Sequence, residues 1–240
     1  MAEIKVWPYC LLTPRNPQAD PNPFTKSGGA SLGGVEPKTR TDRGWWTVNY
    51  GGVLLKNSDR DQWRSWNAIR QHLSGGAGLI AVRIPASLSA PYVSGEHEPT
   101  IETPHDDLTT FDDDASYVQG AISVVTDGVT AIGATTIRLR IINADDDLVG
   151  VRFSYNHAAY ETGPVISITG DIWEVPVTPA IRQTIPAGAD LEFDNPTCLV
   201  HLASDNGMDI PQDAIGKTSL VNVNFVEATD YWSRLALGLE

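Results

Sequence analysis

TTIRLRII, residues 135–142, sets the fold class. Ile137, Leu139 and Ile141 fall on one face of an extended chain, and Arg138 and Arg140 fall on the other. That is the period-two pattern of a strand with one face packed and one in water. Similar short runs surround it: QGAISVVT (119–126), VGVRFSY (149–155), PVISIT (164–169), IWEVPVT (172–178), DLEF (190–193) and TCLVHLA (197–203). Turn-forming clusters separate them at DG (127–128), DDD (145–147), TGD (169–171) and AGAD (187–190). Short strands punctuated this closely predict a small β-barrel or β-sandwich.

Outward from that unit, the N-terminal part reads differently. IKVWPYCLLT (4–13) predicts an edge strand broken by Pro8. Residues 14–44 are dense in Pro and Gly and carry no hydrophobic period, which predicts a long arm that orders only against a neighbouring subunit. WWTVNYGGVLL (45–55) alternates as a strand, with Trp46, Val48 and Tyr50 on one face and a bend at Gly51–Gly52. Residues 57–76 predict an amphipathic helix. Ser58 is its N-cap with Asp61 three residues on, Trp63, Trp66, Ile69 (or Arg70) and Leu73 form its apolar stripe, and Gly75 or Gly76 ends it. AGLIAVRIP (77–85) predicts a further strand, and SLVNVNFVEA (219–228) predicts the last, with Val221, Val223 and Phe225 on one face. A short helix capped by Thr229 follows. The fold class is therefore mainly β: a split β-barrel or sandwich with one amphipathic helix, plus a second small β-barrel or sandwich. Residues 1–93 and 205–240 are expected to form the first unit, 94–116 an acidic linker and 117–204 an inserted β domain.

The chain has 240 residues and a formal net charge of −13. Its N-terminal part, residues 1–94, holds 11 Lys+Arg against 6 Asp+Glu, whereas residues 95–240 hold 6 against 24. Such a balance disfavours a general grip on nucleic acid, which needs a basic surface. It suits either a basic part meeting the acidic part of a neighbouring copy or an acidic surface that keeps the chain dispersed. No apolar run reaches the roughly 18 residues of a membrane span, and the start, MAEIKVWPYCLL, lacks the pattern of a secretory signal. Residues 94–116 carry eight acids, Asp112, Asp113 and Asp114 among them, and no Lys or Arg. The run reads as a solvated linker or as oxygen ligands for a hard cation, though it lacks the EF-hand spacing. Cys10 and Cys198 read as small buried hydrophobes.

No GxSxG, P-loop, dinucleotide-binding or HExxH motif occurs. Cys198 and His201 would point to opposite faces of a strand, which disfavours a catalytic dyad. For a carboxylate pair the candidates are Glu161, Glu174, Glu192 and Asp194, near strand ends.

The succession GATTIRLRI (133–141), VGVRFSYNHAAYETG (149–163) and IWEVPVTPAIRQTIPAGADLEFDNPTCLVHLA (172–203) resembles minor tail proteins of tailed bacteriophages. The matching positions are Gly133-Ala134-Thr135, Gly150, Pro179 to Arg182, Gly188 and Pro196 to Leu199. WWTVNYGG, DRDQWRSWNAIRQHLSGGAGLIAVRIP and the closing VNVNFVEA similarly resemble the tail-ring domain of distal tail proteins. The resemblance implies a structural virion subunit without catalysis or cofactor. It implies a homo-oligomeric ring, a hexamer by analogy, between the tail tube and the hub or fibres. No nucleic-acid recognition and no membrane anchor are expected. Candidate contacts between copies are Pro14, Phe24, Arg40 and Arg43 in the arm, Asp112, Asp113 and Asp114 in the acidic run, and Arg182. Alternatives are a carbohydrate- or receptor-binding module of the tail, or a tail-borne cell-wall hydrolase.

Overall fold

The structure, a computed structural model, describes residues 4–29, 32–34, 36–98, 101–103, 117–119, 121–210 and 217–239. Within them the chain forms β1 (Asn16–Ser27), β2 (Lys38–Lys56), α1 (Arg60–Leu73), β3 (Ile80–Arg83), β4 (Ile101–Thr103), β5 (Tyr117–Gln119), β6 (Ser123–Thr126), β7 (Thr136–Asn143), β8 (Arg152–Tyr155), β9 (Ala158–Thr162), β10 (Ser167–Thr169), β11 (Ile172–Thr178), β12 (Thr197–Leu202), β13 (Thr218–Glu227) and α2 (Thr229–Ala236). The protein is mainly β, built on two curled antiparallel sheets. The first has the order β1-β2-β13-β12-β3 and the second β6-β7-β11-β9-β8, with β10 added beside β11. A separate two-stranded pair joins β4 to β5.

The first core lies between its sheet and α1. Trp46, Val48 and Tyr50 of β2 point inward, as do Val221, Val223 and Phe225 of β13, so the alternation read from both strands holds. The helix presents Trp66 and Leu73 to this core as buried anchors, with Trp63 and Ile69 partly covered. Its cap differs by one residue from the expected Ser58. Asp59 accepts the backbone N–H groups of Asp61 (3.1 Å) and Gln62 (3.2 Å), since a carboxylate at the N-cap satisfies two orphan donors and suits the helix dipole. Ser74 adopts the left-handed conformation and Gly75 follows in the same region, closing the helix.

The N-terminal segment does not form the expected strand over residues 4–13. Trp7 donates to the Ala81 carbonyl and Ala81 to that of Lys5, both at 2.9 Å, giving a parallel bridge beside β3. Pro8 then has no N–H to continue the ladder, and Leu11 and Leu12 fold back onto its carbonyl. Residues 14–44 also depart from the expectation: their described part holds β1 and the start of β2, paired as an antiparallel ribbon. No hydrophobic period marks this ribbon because its distal half buries neither face; Pro23 to Ser27 are all exposed. Gly44 is required where β2 passes the bulge of β1, since a Cβ there would lie 2.7 Å from the Asn22 carbonyl oxygen.

The second core is lined by Ile137 and Leu139 of β7, Val175 and Val177 of β11, and Phe153, Tyr160, Ile185, Leu191 and Phe193. Leu191 and Phe193 are buried as the alternation in DLEF requires, but the segment makes isolated bridges from Asp190 and Glu192 in place of a full strand. Two elements sit on the other side of the sequence-based partition. The segment 197–203, assigned with the inserted unit, is strand β12 between β13 and β3 in the first sheet. Its inward side chains Cys198, Val200 and Leu202 join the first core, while Leu199 joins the second. Helix α2, assigned with the N-terminal unit, packs Trp232 into the second core. It begins at Thr229 with Ala228 as cap and no side-chain cap bond, so Thr229 does not play the expected capping role.

The β8–β9 hairpin stitches the second sheet to β12. Its two turn residues, Asn156 (φ 47°) and His157 (φ 67°), both adopt positive φ, as a two-residue turn matching strand twist demands. The His157 carbonyl accepts the Leu199 N–H at 2.8 Å, and His157 Nδ1 lies 2.9 Å from Thr197 Oγ1. Burial pushes the His157 imidazole below its usual value, so the folded chain resists a proton that the unfolded chain accepts near pH 6.5. Stability is thus fully present above that pH and is lost as pH falls through the ordinary histidine range. Chemical denaturation between pH 7.5 and 5 is expected to show this loss in the wild type and a smaller one in His157→Asn, which keeps a residue tolerant of positive φ. Identical slopes in both proteins would remove His157 as the cause.

Candidate functional site

The described arm consists of the distal β1–β2 ribbon, and its root rests on the second sheet. Phe24 is 46% exposed and its ring centroid lies 6.1 Å from that of Trp45. Lys26, Lys38 and Arg43 are exposed along the same ribbon. At the root, Ala180 donates to the Asp42 carbonyl at 3.2 Å. A shallow crease between the ribbon and the loop after β11 is lined by Pro23, Thr41, Asp42, Gly44, Val177 and Pro179.

Beneath this crease lies a buried ion pair. Arg182 Nε donates to Glu227 Oε1 at 2.7 Å and its Nη2 to Oε2 at 3.0 Å. The two side chains are 12% and 1% exposed. Planar guanidinium and carboxylate meet through two parallel bonds, the strong geometry for such a pair. Arg182 Nη2 also donates to the Gly44 carbonyl at the root of the arm. Glu227 Oε2 accepts the Trp46 backbone N–H at 2.9 Å. The Arg182 N–H is taken by the Tyr160 hydroxyl at 2.9 Å, and burial pushes that phenol up, so it stays protonated. One arginine therefore joins the end of β13, the start of the core-facing part of β2 and the wall of the second core.

Of the residues read as contacts between copies, Phe24 and Arg43 stand exposed on the ribbon, and Arg40 lies on its β2 strand. Pro14, just before β1, is buried. Arg182, read as a contact between copies, is only 12% exposed at its side chain and pairs with a carboxylate of its own chain, Glu227. Asp112, Asp113 and Asp114, and with them most of the acidic run, lie outside the described residues. Sequence reading missed Glu227. Its position on the buried face of VNVNFVE, in step with Val221, Val223 and Phe225, was the available sign.

The candidate carboxylates are each occupied separately. Glu161 binds Arg152 Nε at 2.8 Å, Glu174 accepts from Ser167 Oγ at 3.0 Å, and Glu192 accepts the Asn195 N–H at 2.7 Å. Asp194 accepts from the Asn195 amide at 2.6 Å and from the hydroxyl of buried Tyr92, which His97 also contacts at 2.9 Å. Cys10 is exposed, contrary to the expectation for it, and Cys198 is buried; both are free thiols. Burial pushes the Cys198 thiol well up, which holds it in its unreactive neutral form. Among the described residues no group of three or more His, Cys, Asp or Glu is placed to hold a metal ion, and no helix is long and apolar enough to cross a membrane. No protein-family model matches the chain, and no curated protein matches it in sequence.

Proposed function

We propose that this chain is a structural subunit of a phage tail tip that assembles with copies of itself into a ring, joining tube to hub or fibres. The observation that carries the reading is the ribbon: two paired strands running past the core, with Pro23 to Ser27 exposed and with Phe24, Lys26, Lys38 and Arg43 exposed along it. A two-stranded ribbon is marginal alone in water, so one retained at this length and braced at its root suits a contact made with a neighbour. The more acidic remainder of the chain gives a basic arm a complementary surface on the next copy. The family resemblance of the strand and helix motifs supplies the tail setting, and the reading assigns no catalytic step.

Light scattering on a size-exclusion column, followed by electron microscopy, tests it. Wild-type protein is expected to form closed ring-shaped particles. The double change Phe24→Asp and Arg43→Glu is expected to weaken assembly about ten- to a hundredfold, with an unchanged circular dichroism spectrum. Wild-type protein that stays monomeric at every concentration would defeat the proposal.

A further inference from the structure

We infer that the outer edge of β1 is closed by proline over residues 16–23, so that copies of this chain cannot continue the first sheet from one molecule to the next. β1 is an edge strand, paired only with β2. Pro17 lies opposite Tyr50, Ala19 opposite Val48 and Pro21 opposite Trp46. The Trp46 N–H points the other way, to Glu227 at the end of β13. Tyr50 and Val48 share its parity and pair across with Val223 and Phe225 of β13. In an antiparallel ladder, residues of one parity bond one neighbour and residues of the other parity bond the opposite neighbour. Asn16, Gln18, Asp20 and Asn22 therefore bond β2, and positions 17, 19 and 21 turn their backbone outward. At those three positions only Ala19 keeps an N–H. Pro23 sits in the bulge that interrupts the register between Asn22 and Phe24, which adds a second obstacle to a docking strand.

The same prolines face the core side of the ribbon, where Pro17 and Pro21 are half-buried. A packing role alone would be served by any apolar residue; the missing donor is what valine cannot reproduce. The inference holds whatever assembly the wild type forms, because it concerns one edge only.

The test is the double variant Pro17→Val and Pro21→Val, which keeps apolar contact and restores two outward donors. Its mass by light scattering and its thioflavin T fluorescence are compared with the wild type over the same concentration range. The variant is expected to give species larger than any wild-type particle, growing with concentration, with raised dye fluorescence. In dilute protein the two introduced amides are expected to exchange hydrogen at the rate of free chain. A folded variant with the wild-type mass distribution would overturn the inference. So would protection of those amides in dilute protein, which would place them toward β2. A variant that failed to fold would also overturn it, since both positions are argued to tolerate an N–H.

Discussion

Glu227→Ala is expected to destabilise the fold by about 3–5 kcal/mol, the cost of leaving one member of a buried ion pair without its partner. Arg182, 12% exposed in the intact pair, would be left with its charge uncompensated. The Trp46 N–H, which now donates to Glu227, would lose its acceptor inside the core, and an orphaned buried donor adds to the loss. The comparison that isolates the pair is the double variant Arg182→Met and Glu227→Met. Apolar replacement of both members is expected to recover much of the stability lost by either single change, because desolvation offsets most of what a buried pair gains. Urea denaturation of the wild type, the Arg182→Met and Glu227→Met single variants and the double variant gives the coupling between the two positions directly. A Glu227→Ala protein within about 1 kcal/mol of the wild type would mean that water reaches the pair.

Trp46→Ala is the second large effect, also expected at about 3–5 kcal/mol for truncating a large, fully enclosed side chain. Trp46 is wholly buried, and its indole Nε1 donates to the Ala159 carbonyl at 2.8 Å. The Arg152 guanidinium lies 5.4 Å from its ring centroid. The indole thus ties β2 of the first sheet to β9 of the second. Trp46→Phe separates the contributions. It keeps most of the apolar volume, leaves the Ala159 carbonyl unpaired and is expected to cost about 1–3 kcal/mol. Equal losses from the two variants would assign the whole effect to the indole hydrogen bond and none to packing.

The parts of the fold that could be read from the sequence were those with one wet face and one dry face. β2, β7 and β13 declare themselves by alternation, and α1 by the spacing of Trp63, Trp66, Ile69 and Leu73. The ribbon was not legible because its distal half, exposed on both faces, carries no period, and the prolines of its proximal half imitate a loop while sitting where an edge tolerates them. The placement of β12 was hidden for the opposite reason. Cys198, Leu199 and Val200 are all buried, so the run TCLVHL contains no statement of which sheet it enters. Of the candidate contacts, Phe24 and Arg43 stand out as exposed on the arm. The pairing of Arg182 with Glu227 was not legible, because it depends on where β13 ends, a fact of topology.

The strand β12, six residues long, stands with Val200 in one core and Leu199 in the other. It is a party wall, and the carbonyl of His157 is mortared to it from the far side. Neither chamber can be emptied without opening the other, so the halves should melt in a single calorimetric peak. Neither could be cut out and carried to another protein as a free-standing module.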